Sequence, residues 1–287
     1  MIPGSTAYGA LADSAAVAFR GVATYTAGSY LEVFKDNGSS YTSVFSLNDS
    51  SVKTIELVDN DLLVVRSATP YIRVYSWNGS TFAQTWTMST VPFNNNIPSG
   101  AATISYDGNR LMYSGPGTTG AYANPGIGTM VRQGDGSYAA ESWIDVAIAN
   151  DSIATNGDGT VVFGRRNSNT TAGMARYSSG AWGSFAGVGL APYGNNQPSA
   201  SSRTGASIYM STLSGTSPYL CMYRHIVSTG ANSRLSNFST LPPSTWTNTS
   251  TDMSYDGTHV ALGYQTSTAA DGGIRVYSKT SDTAFNN

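Results

Sequence analysis

The stretches Ile104–Gly115, ISYDGNRLMYSG, and Met253–Tyr264, MSYDGTHVALGY, are two copies of one pattern. Each copy is a short strand of alternating apolar residues, an Asp-Gly step and a second short apolar strand. The copies are separated by roughly three periods of a repeat of about 40–50 residues. An Asp-Gly step between two such runs predicts a β-hairpin, because a type I′ turn needs positive φ at both of its central residues.

A second pattern also occurs twice. Tyr71–Phe82 reads YIRVYSWNGSTF and Gly273–Phe285 reads GIRVYSKTSDTAF, which predicts another hairpin with Asn78-Gly79 at one of its tips. Together the two patterns outline a unit of four antiparallel strands. Six such units can be placed in a single domain that covers residues 1–287, at about 11–47, 48–88, 89–143, 144–187, 188–243 and 244–287.

Four antiparallel strands repeated six times predict an all-β fold, a single β-propeller with six four-stranded blades. The composition agrees, since the helix-favouring residues Glu and Lys number only three each, beside 18 Tyr and 31 Gly. The last strand of the sixth unit is short, so we expect Ile2–Leu11 to pair with the edge of that sheet and close the ring through the chain termini. Seven blades and a non-propeller β fold are the alternatives.

In these two repeated patterns the chain resembles a diverged FG-GAP-like (integrin-type) β-propeller repeat. The resemblance is carried best by Ser105–Gly115, Tyr71–Gly79, Ser254–Gly263 and Gly273–Tyr277. It implies adhesion or recognition, and similar propellers occur in the virions of bacterial viruses. Integrin-type copies of this repeat bind calcium through several closely spaced acidic residues. Here the turns at Asp135 and Asp158 offer one carboxylate each, so no metal site is carried over.

The charge and motif content excludes several classes of function. A net charge of −2 gives no electrostatic footprint for nucleic acid, and no apolar stretch is long enough for a transmembrane helix. Cys221 is the only cysteine, and His225 and His259 have no partners at metal-ligand or triad spacing. No phosphate-binding, dinucleotide-binding or nucleophile motif occurs. We therefore expect no cofactor, no metal and no enzymatic activity.

Recognition residues are expected where the units depart from the repeat, because variable loops on a repeat scaffold commonly carry binding. Such departures are Pro116–Pro125, Arg166–Thr171, Pro192–Pro198 and Leu241–Asn248, although tolerated surface insertions would look the same. The tryptophans either pack between blades or stack on sugars. The candidate recognition residues are Trp77, Asn78, Tyr122, Asn124, Arg166, Tyr193, Asn195 and Trp246.

The functional hypothesis joins two observations. Charged residues form 11% of the chain, against about 25% in an average soluble protein, and the abundant Ser, Thr, Asn and Gly are typical of an extracellular β protein. The N-terminus nevertheless lacks the basic leader of a signal peptide. A bacteriophage virion component, assembled in the host cytoplasm as a capsid decoration or in the tail, reconciles the two.

Such a protein would display its loops to other virion proteins or to a host surface glycan, within a symmetric particle. It would bind no nucleic acid and insert into no membrane. A stand-alone carbohydrate-binding propeller is the alternative, and a glycan hydrolase is the third.

Overall fold

The computed structural model confirms the all-β class. It describes residues 6–7, 19–26, 30–92, 101–115, 125–146, 148–166, 172–187, 196–201, 207–213, 220–226, 229, 232–234, 246–253, 258–266, 272–281 and 284–286. Within these residues the strands, numbered β1–β25 in chain order, form antiparallel sheets, and no helix is long and apolar enough to cross a membrane.

The first three sheets each contain four strands. The first sheet holds β1 (Thr6–Ala7), β2 (Gly21–Thr26), β3 (Tyr30–Asp36) and β4 (Tyr41–Asn48). The second sheet holds β5 (Val52–Val58), β6 (Asp61–Arg66), β7 (Ile72–Trp77) and β8 (Phe82–Met88). The third sheet holds β9 (Ala102–Ile104), β10 (Arg110–Gly115), β11 (Gly126–Arg132) and β12 (Tyr138–Asp145).

The remaining described strands form three further sheets of the same pattern. The fourth holds β13 (Ile148–Thr155), β14 (Val161–Arg166), β15 (Ala172–Ser178), β16 (Ala181–Trp182) and β17 (Ala186–Gly187), the last two both pairing with β15. The fifth holds β18 (Asn196–Ser201), β19 (Ser207–Leu213), β20 (Leu220–Ile226) and β21 (Asn232–Arg234). The sixth holds β22 (Trp246–Met253), β23 (His259–Thr266), β24 (Gly272–Ser281) and β25 (Ala284–Asn286).

The strands of each sheet lie side by side in chain order, so the connections at the two ends of a sheet differ. At one end, here called the turn end, the first strand turns into the second and the third into the fourth. At the other, here called the connection end, the second strand runs on to the third and the fourth leaves for the next sheet. The turn ends of the third and fourth sheets meet directly, since the Asp107 amide donates to the Gly157 carbonyl at 3.3 Å.

The first four sheets pack face to face in chain order, and this packing explains why every residue of the run DLLVVR in β6 is buried. Side chains alternate across a strand, so one half of an apolar run faces each neighbouring sheet. Leu62 and Val64 pack against Leu31 and Val33 of the first sheet. On the other face, Leu63 and Val65 pack with Val74 of the same sheet and against Leu111 and Met130 of the third sheet. A third core, with Met112, Ile127, Val162 and Ala175, joins the third sheet to the fourth.

The expected pairing of the chain termini is not confirmed. Within the predicted segment Ile2–Leu11, Thr6 and Ala7 pair with Val22 and Gly21 of their own sheet rather than with the sixth. The first strand of this sheet is therefore Thr6–Ala7. Phe19 lies outside any strand, buried against Trp77 and Phe82.

The predicted hairpins occur, but with a different turn from the one expected. Gly108, Gly136 and Gly159 have φ of 68°, 83° and 67°, whereas the aspartates before them are not in the left-handed region. The turn is therefore not type I′. In each of these three turns the aspartate side chain accepts a hydrogen bond from the backbone amide two residues later, for example from Asn109 N to Asp107 Oδ1 at 2.9 Å. The Asp256-Gly257 step of the second copy lies outside the described residues. This local hydrogen bond explains the preference for Asp before Gly.

Candidate functional site

A cluster of charged side chains lies at the connection end of the second sheet, and we call it the Asp49 cluster. It consists of Asp49 and Ser51 in the link between β4 and β5, Arg66 at the end of β6, and Arg73 near the start of β7. The antiparallel pairing of β5, β6 and β7 brings these four positions to one end of the sheet. The cluster thus joins the link from the preceding sheet to the loop between β6 and β7.

Arg66 holds the cluster together, since each of its five N–H groups has an acceptor. Nε donates to Asp49 Oδ2 at 2.6 Å, and Nη2 reaches Asp49 Oδ1 at 3.4 Å and Ser51 Oγ at 3.0 Å. Nη1 donates to the carbonyls of Ala68 at 3.1 Å and Pro70 at 2.6 Å. The side chain is almost wholly buried, with 9% of its surface exposed. Arg66 therefore fixes two connections of the chain at once.

Asp49 is ionised at all physiological pH values. Burial alone would raise its pKa, but hydrogen bonds from Arg66 and from Ser51 outweigh that effect and lower the pKa from 3.8 to about 2. The Ser51 backbone amide and hydroxyl both donate to Oδ1, at 2.9 and 2.5 Å. With its oxygens so occupied and its proton affinity so low, Asp49 is a poor general base.

A second charged cluster lies at the turn ends of the third and fourth sheets, but its groups are committed to each other. Arg110 donates to Glu141, with Nη2–Oε1 at 2.8 Å, and its guanidinium lies 3.9 Å from the ring centroid of Tyr177. Trp182 Nε1 donates to the same carboxylate at 3.1 Å. Burial acts to raise the pKa of Glu141, but these hydrogen bonds and the Arg110 charge hold it below its usual range. This arrangement joins two sheets and leaves no group directed at a ligand.

Trp77, one of the recognition candidates from the sequence, is half-buried and packs between sheets. Its ring lies 4.8 Å from Phe19 and 5.4 Å from Phe82, with the Lys35 ammonium 5.5 Å from its centroid. Asn78 is exposed, but its Oδ1 accepts hydrogen bonds from the Ser80 amide and hydroxyl and from the Thr81 amide. Both residues therefore have a structural role at the turn end, and their proposed role in recognition stays a prediction.

Two of the other sequence candidates lie at the opposite end of their sheets from Trp77. Arg166 pairs with Ile148 at the end of β14, and Trp246 pairs with Thr266 at the start of β22, both at the connection ends of their sheets. Their side chains lie outside the described residues. So do four whole residues: Tyr122, Asn124, Tyr193 and Asn195.

Sequence reasoning missed the Asp49 cluster, although it left a trace. Arg66 ends the fully apolar run LLVV, and Arg73 interrupts the apolar phrase YIRVY. A charged residue at the end of a buried strand needs a partner. The sequence alone does not identify the partner of these two arginines, because Asp49 lies in the link before β5, away from both of them along the chain. For the described residues, no group of three or more His, Cys, Asp or Glu side chains could hold a metal ion.

Comparison with known proteins supports the propeller fold. No family model and no curated protein matches the chain. Among solved structures, the periplasmic gluconolactonase of Pseudomonas aeruginosa has a TM-score of 0.61 at 14% identity, over 93% of this chain and 80% of that one. A structure provisionally assigned as TolB from Agrobacterium tumefaciens has 0.55 at 16%, over 88% and 85%. One provisionally assigned as a 6-phosphogluconolactonase from Bacteroides fragilis has 0.55 at 11%, over 92% and 78%.

These neighbours contradict the functional hypothesis drawn from the sequence. None of the three is a virion protein, and two are lactonases by name, so the prediction of a bacteriophage virion component was wrong. The expectation that the chain is not an enzyme is not confirmed. The matches do not test the FG-GAP-like resemblance, the location of the protein, or whether it binds other proteins or a host glycan. At identities this low the likeness establishes the fold alone.

Proposed function

We propose that this chain is a six-bladed β-propeller enzyme that hydrolyses small sugar lactones at the connection end of its sheets. The six consecutive sheets and the face-to-face packing of the first four support the propeller and its blade number. The substrate class comes from the names of two structural neighbours, a gluconolactonase and a provisionally assigned 6-phosphogluconolactonase.

The observation that carries the proposal is the Asp49 cluster. It places two guanidinium groups and one carboxylate at the connection end of the second sheet, so that one positive charge is left over. Arg66 rigidly joins the two connections of the chain that meet there. A fixed positive group beside these connecting segments can stabilise a small ligand that is negatively charged or that gains negative charge during a reaction.

Lactone hydrolysis fits this electrostatic character. Water adds to the ester carbonyl, the bond between the carbonyl carbon and the ring oxygen breaks, and a hydroxy acid is released. Negative charge develops on the carbonyl oxygen during the addition and remains on the product as a carboxylate. Preorganised cationic donors stabilise both. Asp49 is not assigned as the base, because its pKa is about 2 and its oxygens are already bonded.

The test follows acid release from glucono-δ-lactone and from 6-phosphogluconolactone with a pH indicator in weak buffer. We expect a saturable rate above spontaneous hydrolysis, proportional to enzyme concentration. An equal mass of serum albumin controls for general protein catalysis. A rate that equals the spontaneous background with both lactones, across the pH range in which the protein is folded, would overturn the proposal.

A further inference from the structure

The large apolar side chains that stay exposed are confined to the two ends of the series of sheets. Among the described residues they are Tyr30 and Tyr41 of the first sheet and Val276 of the sixth, at 42%, 59% and 52% exposure. A sheet inside the series has one face toward the sheet before it, here called the preceding face, and one toward the sheet after it, the following face. All three residues lie on the two faces that have no such neighbour along the chain.

One position on the third strand shows that this distribution follows the packing of the sheets. In the first four sheets it lies three residues before the one whose amide donates to the carbonyl just before the second strand. Its side chain is on the following face, and there it is buried in each case: Val33, Val74, Thr129 and Met174. The equivalent in the sixth sheet, from the alignment of the two SYDG patterns and the strand register, is Val276. Val276 is exposed, whereas Tyr277 on the opposite face of the same strand is 1% exposed.

The next position along the third strand gives the complementary observation for the preceding face. The residues found there in the second, third, fourth and sixth sheets are buried: Tyr75, Met130, Ala175 and Tyr277. The first sheet has Phe34 at this position, and Phe34 is only half-buried. Tyr30 shares its face because side chains alternate along β3, and Tyr41 does so because it pairs with Asp36. The preceding face of the first sheet is thus accessible from its connection end to its turn end.

These two end faces are chemically suited to each other. Where the first sheet packs on the second, Val33 and Phe45 of the following face meet Tyr75 of the preceding face, and the rings of Phe45 and Tyr75 are 5.0 Å apart. The end faces repeat this combination, with Val276 at the Val33 position and Phe34 at the Tyr75 position. Burial of such apolar surface is favourable. Since both faces belong to one chain, each meets the other at a higher effective concentration than it meets a second copy.

We propose that the following face of the sixth sheet packs on the preceding face of the first sheet, and that this contact closes the ring without a shared strand. The inference rests on the six-sheet ring of the proposed function and is independent of its lactonase activity. The first sheet is built from residues 6–48 and the sixth from residues 246–286, so neither borrows a strand from the other among the described residues. Side chains alone hold this closure interface, with Val276 and Phe34 at its centre.

Cross-linking between introduced thiols tests the closure interface. Cys221→Ser removes the only cysteine, and Val276→Cys with Phe34→Cys then places one thiol on each face. Both positions keep exposed surface, so a bismaleimide that spans about the 10 Å between packed sheets can reach them. We expect mainly internally cross-linked monomer, in a yield that dilution does not change. A second pair, Ser278→Cys with Tyr41→Cys, replaces two exposed residues of the same faces and should give the same product if Phe34→Cys fails to fold.

The positive control is Val44→Cys with Thr81→Cys, because the Thr81 hydroxyl donates to the Val44 carbonyl at 2.8 Å between the first and second sheets. Thermal melts of each variant establish that it is folded. If the control pair is cross-linked and neither pair on the end faces is, the closure interface is refuted. Covalent dimers instead of internally cross-linked monomer would also refute it and would assign the two faces to contacts between copies.

The outcome is separable from the proposed enzyme activity. Lactone hydrolysis by the wild type without internal cross-linking of the variants would keep the enzyme and refute the closure interface. Internal cross-linking without any lactone hydrolysis would keep the closure interface and refute the enzyme. The absence of both would refute both.

Discussion

Replacement of Arg66 by methionine should destabilise the protein far more than any exposed charge replacement. Methionine fills much of the space of the arginine stem, so the change removes mainly the guanidinium. Asp49, with only 10% of its side chain exposed, then loses its closest cation, and the carbonyls of Ala68 and Pro70 lose their donor. Breaking a buried, hydrogen-bonded ion pair from one side costs about 3–5 kcal/mol.

Urea unfolding, followed by tryptophan fluorescence, measures this loss. We expect a lower unfolding midpoint with an unchanged slope, since the native fold and the area exposed on unfolding stay the same. The control is Arg20→Met, because Arg20 is 53% exposed and pairs with Asp36 at 3.2 Å. That exposed pair should contribute about 0–1 kcal/mol. If Arg66→Met costs no more than Arg20→Met, the Asp49 cluster does not hold the two connections.

Two further predictions concern pH and the turns. Because folding lowers the pKa of Asp49 from 3.8 to about 2, its contribution is present above pH 4 and is lost as the pH falls toward 2. That contribution is about 2 kcal/mol, and urea midpoints across this range should show a smaller acid loss in Asp49→Asn. Gly108→Ala should destabilise more than Gly136→Ala. Both have positive φ, but only at Gly108 would the new Cβ lie 2.5 Å from the Asp61 carboxylate. Equal unfolding midpoints for the two alanine variants would contradict the clash.

The hairpins could be predicted from sequence because their cause is local. An Asp side chain that bonds the amide two residues on, followed by a glycine with positive φ, needs no distant partner. The turn type could not be deduced from the Asp-Gly step alone. The two-residue turn with positive φ at both positions occurs at Ser179-Gly180, with φ of 53° and 83°, between Ser178 and Ala181. Serine there gives a weaker sequence signal than Asn or Asp.

The candidate site was not predicted because its cause is not local. Arg66 and Arg73 are seven positions apart along the chain, but Asp49 reaches them only through the register of β5 with β6 and of β6 with β7. The sequence indicates that a charge at the end of a buried strand must be paired, and it does not say with which residue. Trp77 shows the same limit, because its contact with Phe19 depends on packing between sheets that no local pattern specifies.

Trp77 also shows why the sequence repeat is weak although the structural repeat is clear. Trp77, Arg132 and Tyr177 occupy one register position, in the last two residues of the third strand of their sheets. The backbone amide at this position donates to the carbonyl of the residue just before the second strand. Each also contacts the preceding sheet, by a different chemistry in each case. Trp77 packs on Phe19, Arg132 pairs with a carboxylate, and Tyr177 stacks on a guanidinium.

Those contacts require complementary residues in the preceding sheet. Asp61, which is 6% exposed, forms an ion pair with Arg132, with Nη1 at 2.9 Å from Oδ2. The guanidinium of Arg110 stacks on the ring of Tyr177. A substitution at this position is therefore tolerated only with a matching change one sheet earlier. When both residues of a contact change together, the packing between the two sheets is preserved, but the residue type at the repeated position is not. The fold can thus persist at 14% identity to a solved propeller, where no family model recognises the sequence.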